Sequence, residues 1–469
     1  MSTNNYIVTA DLSFNGSALA VENIDGNRFA VGGQFTQVTD STGVLKDCNR
    51  CGIFTKQGEL DVSFNFKSAY AQTLAYLGDN RLAVGGNFLE YTDFNGTSTD
   101  TSYCAIIDIN SGELDVSFQF FSRFPDGVTT LTYLGDNKLA VGGLFTKVDK
   151  GPQASSGVAM VDTSNCAIVN SETGALDTSF NFSSFSSLYC FVYALADLGN
   201  NKLAVGGFFT DGAVKTPFCA IFNSETGALD TSFNFSGRVT ALTYLGDDKL
   251  AVGGNFLEYT DFNGTSTDTS YCAIIDINSG KLDTSFNFND IVYTLNYLED
   301  NKLAVGGLFT DLDGDTTTRL AFVNPNDGSL TKSFSNISGM LFPIFPPRVR
   351  ALADLSDNYL VVGGSFTNMH NDCPGATDGT PCKNLAILNH VDTILKPENK
   401  EVPTPPQWIW SNPFFDEQQA KKAAGAEGVV VAGKKPNSRR PCWYVKKPEF
   451  CVEILPTIGF NGDKMNFDR

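Results

Sequence analysis

The phrase KLAVGGLFT occupies residues 138–146 and recurs at 302–310, with RFAVGGQF, RLAVGGNF, KLAVGGFF, KLAVGGNF and YLVVGGSF as close variants. The first glycine of each pair falls at 32, 85, 142, 206, 253, 306 and 363, so the spacings are 53, 57, 64, 47, 53 and 57 residues. Seven copies at a period near fifty residues confine the chain to repeat architectures, in which one supersecondary unit is stacked until the apolar faces cover each other.

One unit is legible in full at 239–288. VTALTYL (239–245) leads through GDD to KLAVGGNF (249–256); a loop follows, then YCAIIDI (271–277), NSG and KLDTSFNF (281–288). Each run is short, rich in β-formers and bounded by Gly, Asn or Asp, and VTALTYL alternates, with Val239, Ala241, Thr243 and Leu245 facing one way. These are four strands, with tight turns inside the first pair and inside the last pair. No helical period shows in the repeats. Four strands in each of seven units predict an all-β fold, a seven-bladed β-propeller of four-stranded blades, because radial closure protects edges that an open row of sheets exposes. KLAVGGxF is then the second strand, whose Ala and Gly pair let neighbouring blades approach where larger side chains would collide. LDxSF is the outer strand. The N-terminal ADLSF (10–14) is an outer-strand phrase with no inner strands before it. Residues 8–14 are therefore expected to complete the last blade beside NLAILN (384–389), with VDTIL (391–395) competing for the same place.

LDTSFNFSGRVTALTYLGDDKLAVGGNF (229–256) and CAIFNSETG (219–227) carry these phrases in order. In this the units resemble the delta-sixty family of β-propeller repeats, and the resemblance covers residues 8–396. It implies a propeller, and it implies no catalytic site that can be carried over.

The expected organisation is a propeller over residues 1–396 closed by the N-terminal strand, and a mostly irregular extension over 397–469. The formal net charge is −19; residues 391–469 hold 12 Lys/Arg against 10 Asp/Glu, which leaves −21 on residues 1–390. So acidic a surface repels phosphate backbones and argues against nucleic-acid binding. No run approaches 18 apolar residues, so no membrane span is expected, and the N-terminus shows no secretory signal. Cys51, Cys104, Cys166, Cys219 and Cys272 open equivalent strands. They read as buried thiols too far apart to pair, which suits folding in a reducing cytoplasm.

The loops between second and third strands, at 36–50, 89–103, 146–165, 210–218, 257–271, 310–319 and 367–383, are long and uneven, and variable loops on a rigid frame are where recognition sits. Residues 82–112 and 250–280 are identical over 31 positions. The copies offer Tyr91, Phe94, Asn95 and Asp100, and Tyr259, Phe262, Asn263 and Asp268. Aromatics beside amides and carboxylates suit a glycan or a protein partner; packing is the alternative. DLDGDTTT (311–318) sets Asp311, Asp313 and Asp315 around a glycine, as hard-oxygen calcium loops begin, but no twelfth-position Glu follows. His370, Cys373, Cys382 and His390 form a conceivable zinc set, or Cys373 and Cys382 a loop disulfide.

The chain has 2 histidines and none of the hydrolase, zinc-protease, nucleotide or dinucleotide fingerprints, so no enzyme activity and no cofactor are expected. All 3 tryptophans lie after residue 396: Trp408, Trp410 and Trp443, with Phe414 and Phe415 close to the first two. With the proline-punctuated 396–407, an Ala-rich 416–427 that suits a short helix, and a basic 434–447, they read as a docking segment for other subunits or for another copy of the chain. Cys442 and Cys451 are candidates to staple a hairpin there. The expected role is a structural or recognition component of a large assembly, a virion part such as a tail fibre, baseplate or capsid-associated protein. The alternative is a secreted or cell-surface bacterial propeller that binds glycan or protein.

Overall fold

The computed structural model describes residues 5–10, 12–101, 103–118, 120, 122–123, 127–145, 147–148, 161–163, 165–180, 182, 190–208, 218–334, 337–338, 346–355, 357–369 and 382–391, and in the C-terminal part 431–433, 442–446, 451–454, 460–461 and 464–465. The chain divides into two compact units, Met1–Ile394 and Leu395–Arg469. Every regular element among the described residues is a strand, and the pairing between them is antiparallel.

The first, fourth, fifth, sixth and seventh repeats share one four-stranded antiparallel order, whereas among the described residues of the second and third the expected fourth strand is reduced to an isolated bridge, Leu114 with Ile107 and Leu176 with Val169, which corrects the expectation of four strands in every unit. In the fifth repeat the order is Val239–Gly246, Lys249–Gly254, Cys272–Asp276 and Leu282–Ser285. The sixth repeat has Val292–Tyr297, Leu303–Gly307, Leu320–Val323 and Leu330–Ser333. In the second, third, fourth, fifth and seventh repeats the first hairpin turns on two residues in the left-handed region, such as Asp247 and Asp248 at φ 46° and 59° or Asp136 and Asn137 at 47° and 58°, while the first repeat places only Gly26 there and the sixth only Asn301. Asp and Asn tolerate that region, and the resulting primed turn matches strand twist. The second strand is buried on both faces, so consecutive side chains go inward to different clusters. Leu250, Ala251 and Val252 are fully buried, and Phe256 is nearly so.

Each first strand packs against the first strand of the following repeat, and Ala18–Asn23 of the first repeat packs against Arg348–Leu355 of the seventh. The glycine pair makes this approach sterically possible. A Cβ on the first glycine would come within 2.6 Å of Val128 at Gly85, of Val239 at Gly206 and of Val292 at Gly253, in each case the opening valine of the next repeat. The second glycine meets its own repeat instead: a Cβ at Gly254 would lie 2.2 Å from the Arg238 carbonyl. That carbonyl is brought close by a bulge in the first strand between Val239 and Ala241. The apolar clusters straddle neighbouring repeats, and one joins Phe14, Val31 and Phe35 to Ala351, Val361 and Ile387.

In the first and fourth repeats the outer strand ties the repeat to the next. Leu229–Phe235 pairs with Cys219–Asn223 and then crosses to the following repeat, where Asn234 and Phe235 pair with Thr260 and Tyr259. The N-terminus makes the same crossing. Asn5–Val8 pairs with Leu385–Val391, from Asn5 opposite Val391 to Val8 opposite Leu388, while Ser13–Phe14 pairs with Gln37–Thr39. This corrects the expected register. The strand that completes the last sheet is centred on residues 5–8, not 8–14, and Phe14 holds the place of Phe235, the second Phe of LDTSFNF. Asn15 confirms the offset: its Oδ1 accepts from the amides of Thr36 and Gln37 (2.8 and 3.1 Å), as the Ser236 hydroxyl does from Leu257 and Glu258 (both 3.0 Å). Val391 lies inside the third strand, opposite Asn5, so VDTIL does not begin a separate fourth strand.

The second unit carries a three-stranded sheet of Val431–Gly433, Cys442–Lys446 and Cys451–Ile454, and a hairpin of Phe460–Asn461 with Lys464–Met465. These strands replace the expected irregular structure at those positions. Lys446 stands opposite Cys451 and Trp443 opposite Ile454, so Cys442 is four register steps from Cys451. At about 3.3 Å per residue that is roughly 13 Å, beyond disulfide reach, and the expected staple is corrected.

Candidate functional site

The loops between second and third strands of the first, second, fifth and sixth repeats fold into short hairpins beyond the sheets. Glu90 and Thr92 of the long strand Arg81–Thr92 pair with Ser98–Asp100, and Glu258–Thr260 pairs with Ser266–Asp268 in the identical fifth-repeat copy. In both copies the carboxylate two residues after the tyrosine closes the turn. Asp93 accepts from the amides of Asn95 (3.0 Å) and Thr97 (2.7 Å), and Asp261 from those of Asn263 (2.9 Å) and Thr265 (2.8 Å).

The eight candidate contact residues separate. Tyr91 and Tyr259 are buried, and their hydroxyls donate to the carbonyls of Gly112 and Gly280 at 2.6 Å. Their rings pack on Phe66 and Phe235 with centroids 4.9 Å apart. Neither can stack on a ligand, so this part of the expected site is corrected to core. Comparison within the sequence carried the signal, because the residue three after the second-strand Phe is Val38, Val148, Leu312 or Met369 in other repeats, all buried. Phe94 and Phe262 remain about half exposed, at 49% and 47%, stacked on Phe64 and Phe233. Asn95, Asn263, Asp100 and Asp268 are exposed. Leu89 and Leu257, which sequence reasoning passed over, are exposed at 49% and 57%. Val44 and Leu45 are exposed in the matching hairpin of the first repeat. The hairpins therefore present apolar side chains on polar stems.

Asp311 and Asp315 flank a tight hairpin, Asp311–Leu312 with Asp315–Thr316, whose turn is Asp313 and Gly314 at φ 52° and 90°. Asp311 accepts from the Gly314 amide and Asp313 from Asn287 Nδ2. The carboxylates are used as turn and inter-repeat acceptors, and among the described residues no three His, Cys, Asp or Glu side chains gather to hold a metal. Cys382 is buried, with its Sγ 3.7 Å from the Ala10 carbonyl oxygen. His390 lies in a strand opposite Tyr6. His370, Cys373, Trp408, Trp410, Phe414, Phe415 and the Ala-rich 416–427 lie outside the described residues; Trp443 stands in the strand Cys442–Lys446. Cys51, Cys104, Cys166, Cys219 and Cys272 are buried free thiols, and burial pushes each thiol far above its ordinary range, so they are inert as nucleophiles.

A second group of residues emerges only from the register. Every first strand carries its bulge at one position, and the extra residues are Leu19, Gln72, Thr129, Tyr193, Thr240, Tyr293 and Arg350. The flanking positions repeat Val or Ala before and Ala or Thr after, whereas this one varies freely. A bulge re-aims its side chain, so these positions escape the packing code. Thr129 and Thr240 donate to the carbonyls of Val192 and Val292 in the next repeat. The Arg350 guanidinium lies over the Tyr293 ring, 5.1 Å from its centroid. Burial, and the like charge of Arg348, lower its pKa to about 10. At the other end of these strands carboxylates collect: burial raises Glu22 to about 7, with Oε1 accepting from the Tyr76 amide at 3.1 Å, and raises Asp354 to about 6.

No family model matches the chain, and no curated protein matches it. Among solved structures the chain is similar to the WD40 β-propeller domain of Doa1, at 12% identity and a TM-score of 0.48, covering 82% of this chain and 97% of that one. It is also similar to the computationally designed Ika8 protein, at 14% identity and a TM-score of 0.47, covering 82% of this chain and 100% of that one.

Proposed function

We propose that residues 1–394 form a closed seven-bladed β-propeller of the delta-sixty type that works without catalysis, as a rigid platform for protein contacts in a large assembly. Closure is supported by the packing of the first repeat's inner strand on the seventh's, and by the N-terminal strand completing the last sheet while its continuation enters the first hairpin. Within the assembly, the hairpins of the second and fifth repeats are the contact elements.

One observation carries the functional reading: two hairpins of identical sequence hold Leu89 with Phe94, and Leu257 with Phe262, about half exposed on stems anchored by buried tyrosines. Apolar side chains left in water favour a partner that covers them. The acidic surface and the buried thiols fit a component assembled in the cytoplasm at high local concentration, and we place it in a virion. The segment after residue 394, with its tryptophans and basic stretch, is the docking element. Mass spectrometry of purified particles against cell envelopes tests the location; finding the chain in envelopes alone contradicts it. Deleting residues 397–469 should abolish incorporation, and so should Leu89→Asp with Leu257→Asp in a chain of unchanged thermal stability. Normal incorporation of either variant overturns the corresponding part of the proposal.

A further inference from the structure

The bulge residues matter once the ring is closed. The first strand of each repeat pairs on one edge with the second strand, and among the described residues no strand occupies its other edge. On the closed-ring reading, on which this inference rests, the seven free edges face one axial space. The bulge residues, which are half-buried apart from the buried Leu19, line it.

Their chemistry is uneven around the ring. The two threonines spend their hydroxyls on neighbouring carbonyls. Among the described residues, the side chains of Gln72, Tyr193, Tyr293 and Arg350 take part in none of the hydrogen bonds, and Arg350 in none of the ion pairs. Arg238 stands two positions before Thr240, and its Nε is buried without a hydrogen-bond partner. Tyr193 lies within electrostatic reach of Arg238, as Tyr293 and Tyr70 do of Arg350. These form two groups, Tyr193 with Arg238 in the fourth and fifth repeats and Arg350 with Tyr293 and Tyr70 in the seventh, sixth and second, and on the closed ring both groups face the axial space. Residues 1–390 carry 8 arginines against a net charge of −21, yet Arg238, Arg348 and Arg350 all stand at this end of the inner strands. The carboxylates Glu22 and Asp354 are three or four residues farther along, about 10–13 Å away, too far for an ion pair.

A half-buried guanidinium without a counter-charge is costly, and five fixed N–H donors make it a receptor for oxygen anions. We propose that the axial mouth at the N-terminal ends of the inner strands is a binding site for a small inorganic oxyanion of phosphate or sulfate size, held by Arg350 and Arg238 with donors from Tyr293, Tyr193 and Gln72. The phenol and amide groups supply the neutral donors that turn a general anion attraction into oxyanion selection. The surrounding acidic surface weakens long-range attraction, so occupancy depends on these short-range donors.

The test is calorimetric titration of sodium phosphate, and separately sodium sulfate, into the full chain at constant ionic strength, with sodium chloride as the reference. Saturable binding of either oxyanion and none of chloride is expected. Arg350→Gln should weaken binding at least tenfold and Arg238→Gln severalfold, while Arg28→Gln, whose guanidinium is paired with Asp25, leaves it unchanged. Absence of saturable binding to the wild-type chain overturns the inference whatever the variants do. So does equal affinity in Arg238→Gln and Arg350→Gln, each checked for folding by its thermal transition. Because ring closure is read separately by a disulfide in the Ser17→Cys, Ser365→Cys variant, a failed titration alongside efficient cross-linking of that variant rejects the anion site and leaves the propeller standing.

Discussion

Replacing Gly253 by Ala isolates the reason for the repeated glycine. The three nearest atoms to the new Cβ belong to the next repeat: Val292 Cγ1 at 2.6 Å, Leu295 Cδ1 at 3.3 Å and Val292 Cβ at 3.3 Å. Ordinary carbon contact needs about 3.5–4.0 Å, so the repeats must part by roughly 1 Å or Val292 must leave its rotamer. Overpacking of that size costs about 1–3 kcal/mol. Val292 is fully buried; Val292→Ala alone removes two methyl-sized groups and costs about 2–3 kcal/mol. In the double variant the vacated Cγ1 position receives the new Cβ, so the combined loss should fall short of the sum by about 1–2 kcal/mol. Equilibrium urea unfolding at equal m-values reads all four corners of this cycle. Gly254→Ala serves as the control, because its clash at 2.2 Å is with the Arg238 carbonyl and no side-chain truncation relieves it. Additive losses for Gly253→Ala and Val292→Ala, or rescue of Gly254→Ala by Val292→Ala, would refute inter-repeat crowding as the reason for the pair.

Tyr91→Phe and Tyr259→Phe each delete one buried hydrogen bond to a carbonyl and should cost about 1–2 kcal/mol in unfolding free energy without changing partner incorporation; lost incorporation at unchanged stability would return the tyrosines to the contact surface. Peptide mapping after alkylation at pH 8 should find Cys51, Cys104, Cys166, Cys219 and Cys272 unmodified in the native chain and modified in denaturant, and native labelling would contradict their burial. Glu22 has its pKa raised to about 7 by burial, against 4.5 as the ordinary value. The folded state therefore holds the proton more tightly, so Glu22 favours folding below about pH 4.5 and this is lost as pH rises to 7. Glu22→Gln keeps an acceptor for the Tyr76 amide and should raise the melting temperature at pH 8 but not at pH 4; an equal change at both values would show that its ionisation is not linked to folding.

The glycine pairs and their spacing made the repeated four-stranded sheet legible, because each phrase is written by local demands: Asp and Asn for primed turns, Val and Ala for buried strand faces, Gly where the next repeat presses close. Positions where two demands compete were misread. ADLSF matches LDTSF by letter, but Phe14 fills the slot of Phe235, since the core constrains the hydrophobic spacing and not the polar letters between. Tyr91 and Tyr259 resemble a sugar platform beside Asn and Asp, yet the rings sit where other repeats place Val, Leu or Met, and the neighbouring Asp93 and Asp261 are used to close the hairpin turn. The bulge residues were invisible as a group, since a bulge inserts one residue without changing composition or periodicity enough to show. What the hairpins and the docking segment bind was not legible, because a contact surface is defined by a partner's shape as much as by its own side chains.

In the proposed ring the first repeat closes on the seventh. Ser17 and Ser365, separated by 348 positions, approach to 2.7 Å between hydroxyl oxygens at that junction. Ser17→Cys with Ser365→Cys, mildly oxidised at low protein concentration and mapped by mass spectrometry, should yield an intramolecular disulfide between those two positions in nearly every chain. Two reduced thiols, or cross-links only between separate chains, would show that the ring is open.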